Sequence, residues 1–155
     1  MKGIVITPDG GTSVQDFAEP LCKTVGAVVG GLIQVVNPKG LPEPFRMVVN
    51  EEGRLKKLPF HPVASFWYGT QTHGQPIVGT VVLLKEALND EREPDLFGLD
   101  GADVRILMGV IEKAKASRLP KEPKNPPPAV LAIEIPPDAD FGAFLAALGA
   151  LGFGG

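Results

Sequence analysis

His61 and His73 lie a short way along the chain from the adjacent carboxylates Glu51 and Glu52. Imidazole with carboxylate is a donor set that holds zinc or activates water. The spacing matches no metal motif, however, and neighbouring turn carboxylates diverge and keep ordinary acidity. A metal-assisted hydrolase is therefore the lesser expectation, with no catalytic residue, metal ligand or cofactor assigned. Gly26, Gly30 and Gly31 do not form a phosphate loop, because phosphate binding needs glycines ahead of a helix, whereas these follow one and precede a strand. Cys22 shares a helix with Leu21 and Val25 and has no His or Asp partner in sequence, which makes it a packing residue rather than a nucleophile.

A binding site has better support. Phe66-Trp67-Tyr68-Gly69-Thr70 sets aromatic faces beside a glycine, and Gln71, Thr72 and His73 follow with hydrogen-bonding groups. Such a mixture suits a nucleobase or a protein hot spot. Arg54, Lys56 and Lys57 supply positive charge for an anionic ligand, so the candidate set is Arg54, Lys56, Lys57, His61, Trp67, Tyr68 and His73. The competing reading puts Trp67 in the core and leaves the basic cluster as a solvated face.

The elements that must position these residues follow from periodicity. Lys2 to Thr7 reads as a strand closed by Pro8-Asp9-Gly10-Gly11. Asp16 and Glu19 resemble a capping box ahead of a helix through Leu21, Val25, Val28 and Val29, which Gly30 ends in the left-handed conformation. Leu32 to Val36 and Phe45 to Val49 are the next strands. Asn50-Glu51-Glu52-Gly53 predicts a type I turn with Gly53 at positive φ, after which Arg54 to Leu58 folds back. Pro62 to Tyr68 predicts a short helix, and Ile77 to Leu84, apolar without alternation, a central strand buried on both faces. The strongest helix opens at Leu99-Asp100-Gly101-Ala102-Asp103 and carries Val104, Leu107, Met108, Ile111 and Ala114 on one stripe.

The predicted architecture is α+β: a mostly antiparallel sheet of roughly four to six strands with two main helices on one face. Residues 1–117 form this core, and 118–128 form a proline-rich spacer. Residues 129–155 hold one more strand, from Ala129 to Ile135, and an uncharged apolar segment from Phe141 to Gly155. Phe141, Phe144, Leu145, Leu148 and Leu151 share a helical face there, so the segment is expected to be an interaction element and a route to a homo-oligomer.

Composition bounds the function. In 155 residues, 44% are hydrophobic and 21% charged, as in an ordinary globular domain. The formal charge is −3 and the fifteen Lys and Arg are dispersed, which argues against a dedicated nucleic-acid binder and equally against an acidic DNA mimic. One cysteine excludes an intrachain disulfide and fits a reducing cytoplasm, and no apolar run reaches membrane-spanning length.

Val48-Val49-Asn50-Glu51-Glu52-Gly53-Arg54-Leu55-Lys56-Lys57-Leu58-Pro59-Phe60-His61, then Gly74-Gln75-Pro76-Ile77-Val78-Gly79-Thr80-Val81-Val82-Leu83, with Gly30-Gly31-Leu32-Ile33-Gln34-Val35-Val36 upstream, resembles a small family carried mainly by bacteriophages and mobile elements and known as a domain of unknown function. The resemblance runs over about residues 1–115, and His61 stands where it would place Asn. It implies a phage-encoded accessory protein in the cytoplasm of an infected bacterial host. Binding a host protein, a defence component or a small anionic nucleotide signal is the expected activity; a small enzyme and a self-assembling structural protein are the alternatives.

Overall fold

The structure, a computed structural model, describes residues 1–128; the expected strand Ala129 to Ile135 and the segment Phe141 to Gly155 lie outside the described residues. The architecture grows from the run Val81–Leu84, whose four side chains are all buried. It opens strand β5 (Val81–Leu88), which lies between β1 (Lys2–Ile6) and β4 (Phe45–Asn50). Outside these lie β2 (Thr12–Asp16) beyond β1 and β3 (Ile33–Val36) beyond β4, while β6 (Pro94–Phe97) pairs with the far end of β5. Every pairing is antiparallel. The expected central strand begins later than Ile77, because Gly79 adopts φ +79° and breaks the run.

Alternation along β5 sends Val81 and Leu83 to one side and Val82 and Leu84 to the other. The first side joins Ile4, Ile6 and Met47 to the helices α2 (Pro62–Tyr68) and α4 (Gly101–Lys115) through Val63, Ala64, Trp67, Leu107, Ile111 and Ala114. The second joins Val5, Phe17 and Val48 to α1 (Leu21–Val29) through Val25 and Val29. The fold is thus α+β with a six-stranded antiparallel sheet, as expected, but its two main helices, α1 and α4, lie on opposite faces rather than one. Two-sided burial of β5 requires this: a strand apolar on both faces needs cover on both.

Other departures have local causes. Asp16 ends β2 instead of capping α1, which begins after Pro20 without a side-chain cap. This edge strand is polar and largely exposed, so its sequence carries no burial signal. β6 was likewise not expected, since proline and acidic residues disfavour strands; Pro94 is tolerated as the first residue of an edge. Gly53 does not take positive φ, contrary to the expected turn; Lys57 does, at 55°, within the run of turns over 51–57. What Gly53 provides is room, because a Cβ there would sit 2.9 Å from Val78 Cγ2. Gly30, by contrast, ends α1 at φ 92° as expected, its N–H donating to Gly26 O.

α4 opens on a reciprocal capping box, Asp100 accepting from Asp103 N–H and Asp103 from Asp100 N–H. Lys85 on β5 donates to the Asp103 carboxylate at 2.8 Å, which ties the helix start to the sheet. A separate short helix, α3 (Thr70–His73), follows α2 after Gly69.

Candidate functional site

His61 and Trp67 belong to the interior. His61 is fully buried at the N-terminus of α2, where Nδ1 accepts from Ala64 N–H at 3.0 Å and Nε2 faces Ile6 O at 3.1 Å. An amide can only donate and a carbonyl only accept, so the ring is neutral with its proton on Nε2. Burial, the dominant cause, pushes its pKa below the usual histidine value. Asparagine, which the resemblance places here, is a favoured N-cap, and His61 Nδ1 performs that capping role while Nε2 adds a bond to β1. Trp67 is 2% exposed within the α2–α4 core, so its ring offers no stacking face to a ligand. Both residues were candidates for a ligand surface, and burial corrects that expectation.

Tyr68 and His73 do come together, and Arg54 is linked to His73 only through Gln75. Tyr68 and His73 meet edge to face with ring centroids 4.8 Å apart. His73 Nε2 contacts Tyr68 O at 2.9 Å, and Nδ1 accepts from Gln75 N–H at 3.0 Å. Arg54 Nη1 donates to Gln75 Oε1 at 2.7 Å, and Nη2 reaches Pro127 O. Thus the guanidinium meant for an anion is engaged by neutral acceptors. Lys56 turns elsewhere, its ammonium 3.2 Å from Gly30 O at the end of α1, and Lys57 is exposed. The basic cluster of the sequence is split by the loop rather than focused on one point.

Both histidines therefore spend both ring nitrogens on backbone partners. Ligating a metal would require breaking those bonds, and among the described residues no group of three His, Cys, Asp or Glu side chains is placed to hold a metal ion. Glu51 and Glu52 sit in the turn after β4 and contact neither histidine by hydrogen bond.

An open concavity lies on the α1 face, away from the expected residues. An open groove of about 790 Å³ runs between the start of α1 and the β5–β6 hairpin. Leu21, Ile33, Leu88 and Leu96 give it an apolar lining, and Glu19, Asp90 and Asp95 bring carboxylates to it, with no lysine or arginine among the described lining residues. Cys22, a free and exposed thiol, also borders it. Among the described residues one nine-residue helix, α1, covers this side of the sheet: Leu88 is 64% and Val35 45% exposed, and register puts both on the α1 face. The sequence held one signal for it, the acidic stretch Asp90-Glu91-Arg92-Glu93-Pro94-Asp95 after an apolar strand end.

No helix among the described residues is long and apolar enough to cross a membrane. No curated protein and no solved structure matches the chain. A family model described as Domain of unknown function (DUF3846) matches residues 1–97, which ends at the last residue of β6 and leaves α4 outside. Since that stretch is more than half of 155 residues, the chain belongs to the DUF3846 family.

Proposed function

We propose that this chain is a small accessory binding protein of phage or mobile-element origin, acting in the cytoplasm of an infected bacterium by engaging a host protein. The observation that carries this reading is the groove between α1 and the β5–β6 hairpin, apolar within and bordered by carboxylates. Enclosed pockets suit small molecules, whereas an open groove of this kind suits a segment of polypeptide. Its charge favours a partner segment with apolar residues flanked by Lys or Arg.

The anionic-ligand alternative is weakened by the fate of the basic cluster, with Arg54 engaged by Gln75 and Pro127 and Trp67 buried. The hydrolase alternative has its histidines held by backbone groups. Self-association through Phe141, Phe144, Leu145, Leu148 and Leu151, which lie outside the described residues, is the remaining alternative.

Capture from bacterial lysate with the wild-type chain and with Leu88→Asp tests the reading. A partner retained by the wild type should be lost by about tenfold or more with Leu88→Asp, the scale of an interface hot spot. Retention by Leu88→Asp together with loss in Lys56→Glu/Lys57→Glu would move the interface to the basic loop. A nucleotide that raises the melting temperature of the wild type but not of the double lysine variant would replace the protein partner with an anionic ligand.

A further inference from the structure

The proline-rich stretch carries its own recognition problem. Asn125, Pro126 and Pro127 each precede a proline, which drives all three toward extended backbone, and the prolines hold φ near about −65°. Prolines have no N–H, so such a run makes no internal ladder, and its carbonyls must find donors from outside.

Two side chains supply those donors in register. Arg54 Nη2 donates to Pro127 O at 2.5 Å and Gln75 Nε2 to Pro128 O at 3.1 Å. Arginine has only donors, so the 2.7 Å bond from Arg54 Nη1 to Gln75 Oε1 fixes which way the Gln75 amide faces and aims its NH2 group at the tail. The Gln75 backbone is itself held, its N–H by His73 Nδ1 and its carbonyl by Thr70 Oγ1 at 2.7 Å. Gly74 completes the surface: a Cβ there would stand 3.2 Å from Pro127 Cδ, so the missing side chain admits the proline ring.

We propose that Arg54, Gln75 and Gly74 form a recognition site for a proline-rich peptide segment, filled in this chain by its own Pro127 and Pro128. Two fixed donors match two consecutive carbonyls, and a glycine matches a ring: the requirements of a proline run rather than of an arbitrary peptide. His73 acts as a positioning residue, setting the Gln75 backbone. The site shares no residue with the groove beside α1, so either can fail without the other.

The test uses the full chain with Pro126, Pro127 and Pro128 replaced by serine, which keeps the backbone carbonyls but removes the ring on Gly74 and the bias toward extended backbone, and so weakens the tethered segment as a competitor without shortening the protein. A synthetic peptide spanning Lys121 to Pro128, with blocked ends, is titrated by calorimetry and amide NMR. Saturable one-to-one binding is expected, at least tenfold weaker when Arg54→Ala is added and only partly weakened by Arg54→Lys. In the wild-type chain the tethered run competes at an effective concentration on the order of millimolar, so the same peptide should bind far more weakly there. Absence of binding to a serine variant that melts like the wild type, or binding indifferent to Arg54→Ala, overturns the proposal. Should the serine variant not fold, trypsin cleavage after Lys124 decides the matter in chains with an intact proline run. Arg54→Ala should accelerate it several-fold relative to the wild type, and an unchanged rate rejects the site.

Discussion

The two faces of the sheet are built to different standards. Among the described residues, sixteen buried apolar residues make up the cluster under α2 and α4, whereas the cluster under α1 contains seven. On the first face even the polar groups are absorbed: His61 caps α2 and bonds β1, and Ser65 Oγ both donates to Ile77 O and accepts from Ile77 N–H. On the second, Leu88 stays exposed in a groove with carboxylates, and Val35 is exposed as well. Among the described residues one face is closed and the other leaves apolar surface exposed, and the proposed partner site rests on that division.

The comparison breaks most readily at Trp67. This side chain is the largest of the fully buried set and lies between α2 and the sheet, so Trp67→Ala should cost about 3–5 kcal/mol from lost burial and the cavity left behind. Chemical denaturation gives the number directly. A loss under about 1 kcal/mol would mean that the α2–α4 side is no better packed than its opposite, and that Trp67 is available for a ligand after all.

Legibility in the sequence follows the same division. The strands and helices of the well-packed core were readable because burial imposes periodicity: Val81–Leu84 is apolar without a break, and α4 shows a stripe through Leu107 and Ile111 with Asp100 at its start. β2 and β6 were not readable, since edge strands exposed to water need no apolar pattern and are defined only by partners distant in sequence. For the site, the chemistry of individual residues misled. His61 and Trp67 are types often found in ligand sites, but whether such a ring faces solvent depends on how α2 sits against β1 and α4, which no local spacing encodes. The same holds for Arg54, whose acceptors on Pro127 and Gln75 lie far along the chain. The groove forms where α1, among the described residues, leaves part of the sheet uncovered, a property of assembly rather than of any motif.

A smaller effect sharpens the contrast through pH. Burial holds the His61 pKa below the value of 6.5 that the unfolded chain would show, so the unfolded state binds the extra proton more readily. The stability contributed by the neutral ring is complete above about pH 6.5 and is lost as pH falls from there toward the depressed folded value, with a slope of at most about 1.4 kcal/mol per pH unit. Protonation would also set Nδ1–H against the Ala64 N–H it now accepts from. His61→Asn keeps an oxygen able to cap α2 and removes the titration, so it should be less stable at neutral pH yet show a flatter stability profile between about pH 6.5 and 5. Parallel profiles for the two proteins would show that His61 charges freely, and the closed character assigned to this face would be wrong at that point.

The smallest expected effect is the one that defines the other face. Leu88 is 64% exposed near the end of β5, opposite Pro94, and a polar replacement there removes little buried area and buries no charge. Leu88→Asp should therefore change unfolding free energy by no more than about 0.5 kcal/mol, the range of surface substitutions away from special features. Its added carboxylate, beside Asp90 and Asp95, would be screened by salt and water rather than by protein. The same substitution is the one expected to abolish partner capture, and the value of the pair of measurements lies in their separation. A residue retained for the core loses stability and binding together; a residue retained for a partner loses binding alone. If Leu88→Asp destabilises the protein as much as Trp67→Ala is expected to, the α1 face is structural throughout, and the groove is a gap in packing rather than a place where another protein sits.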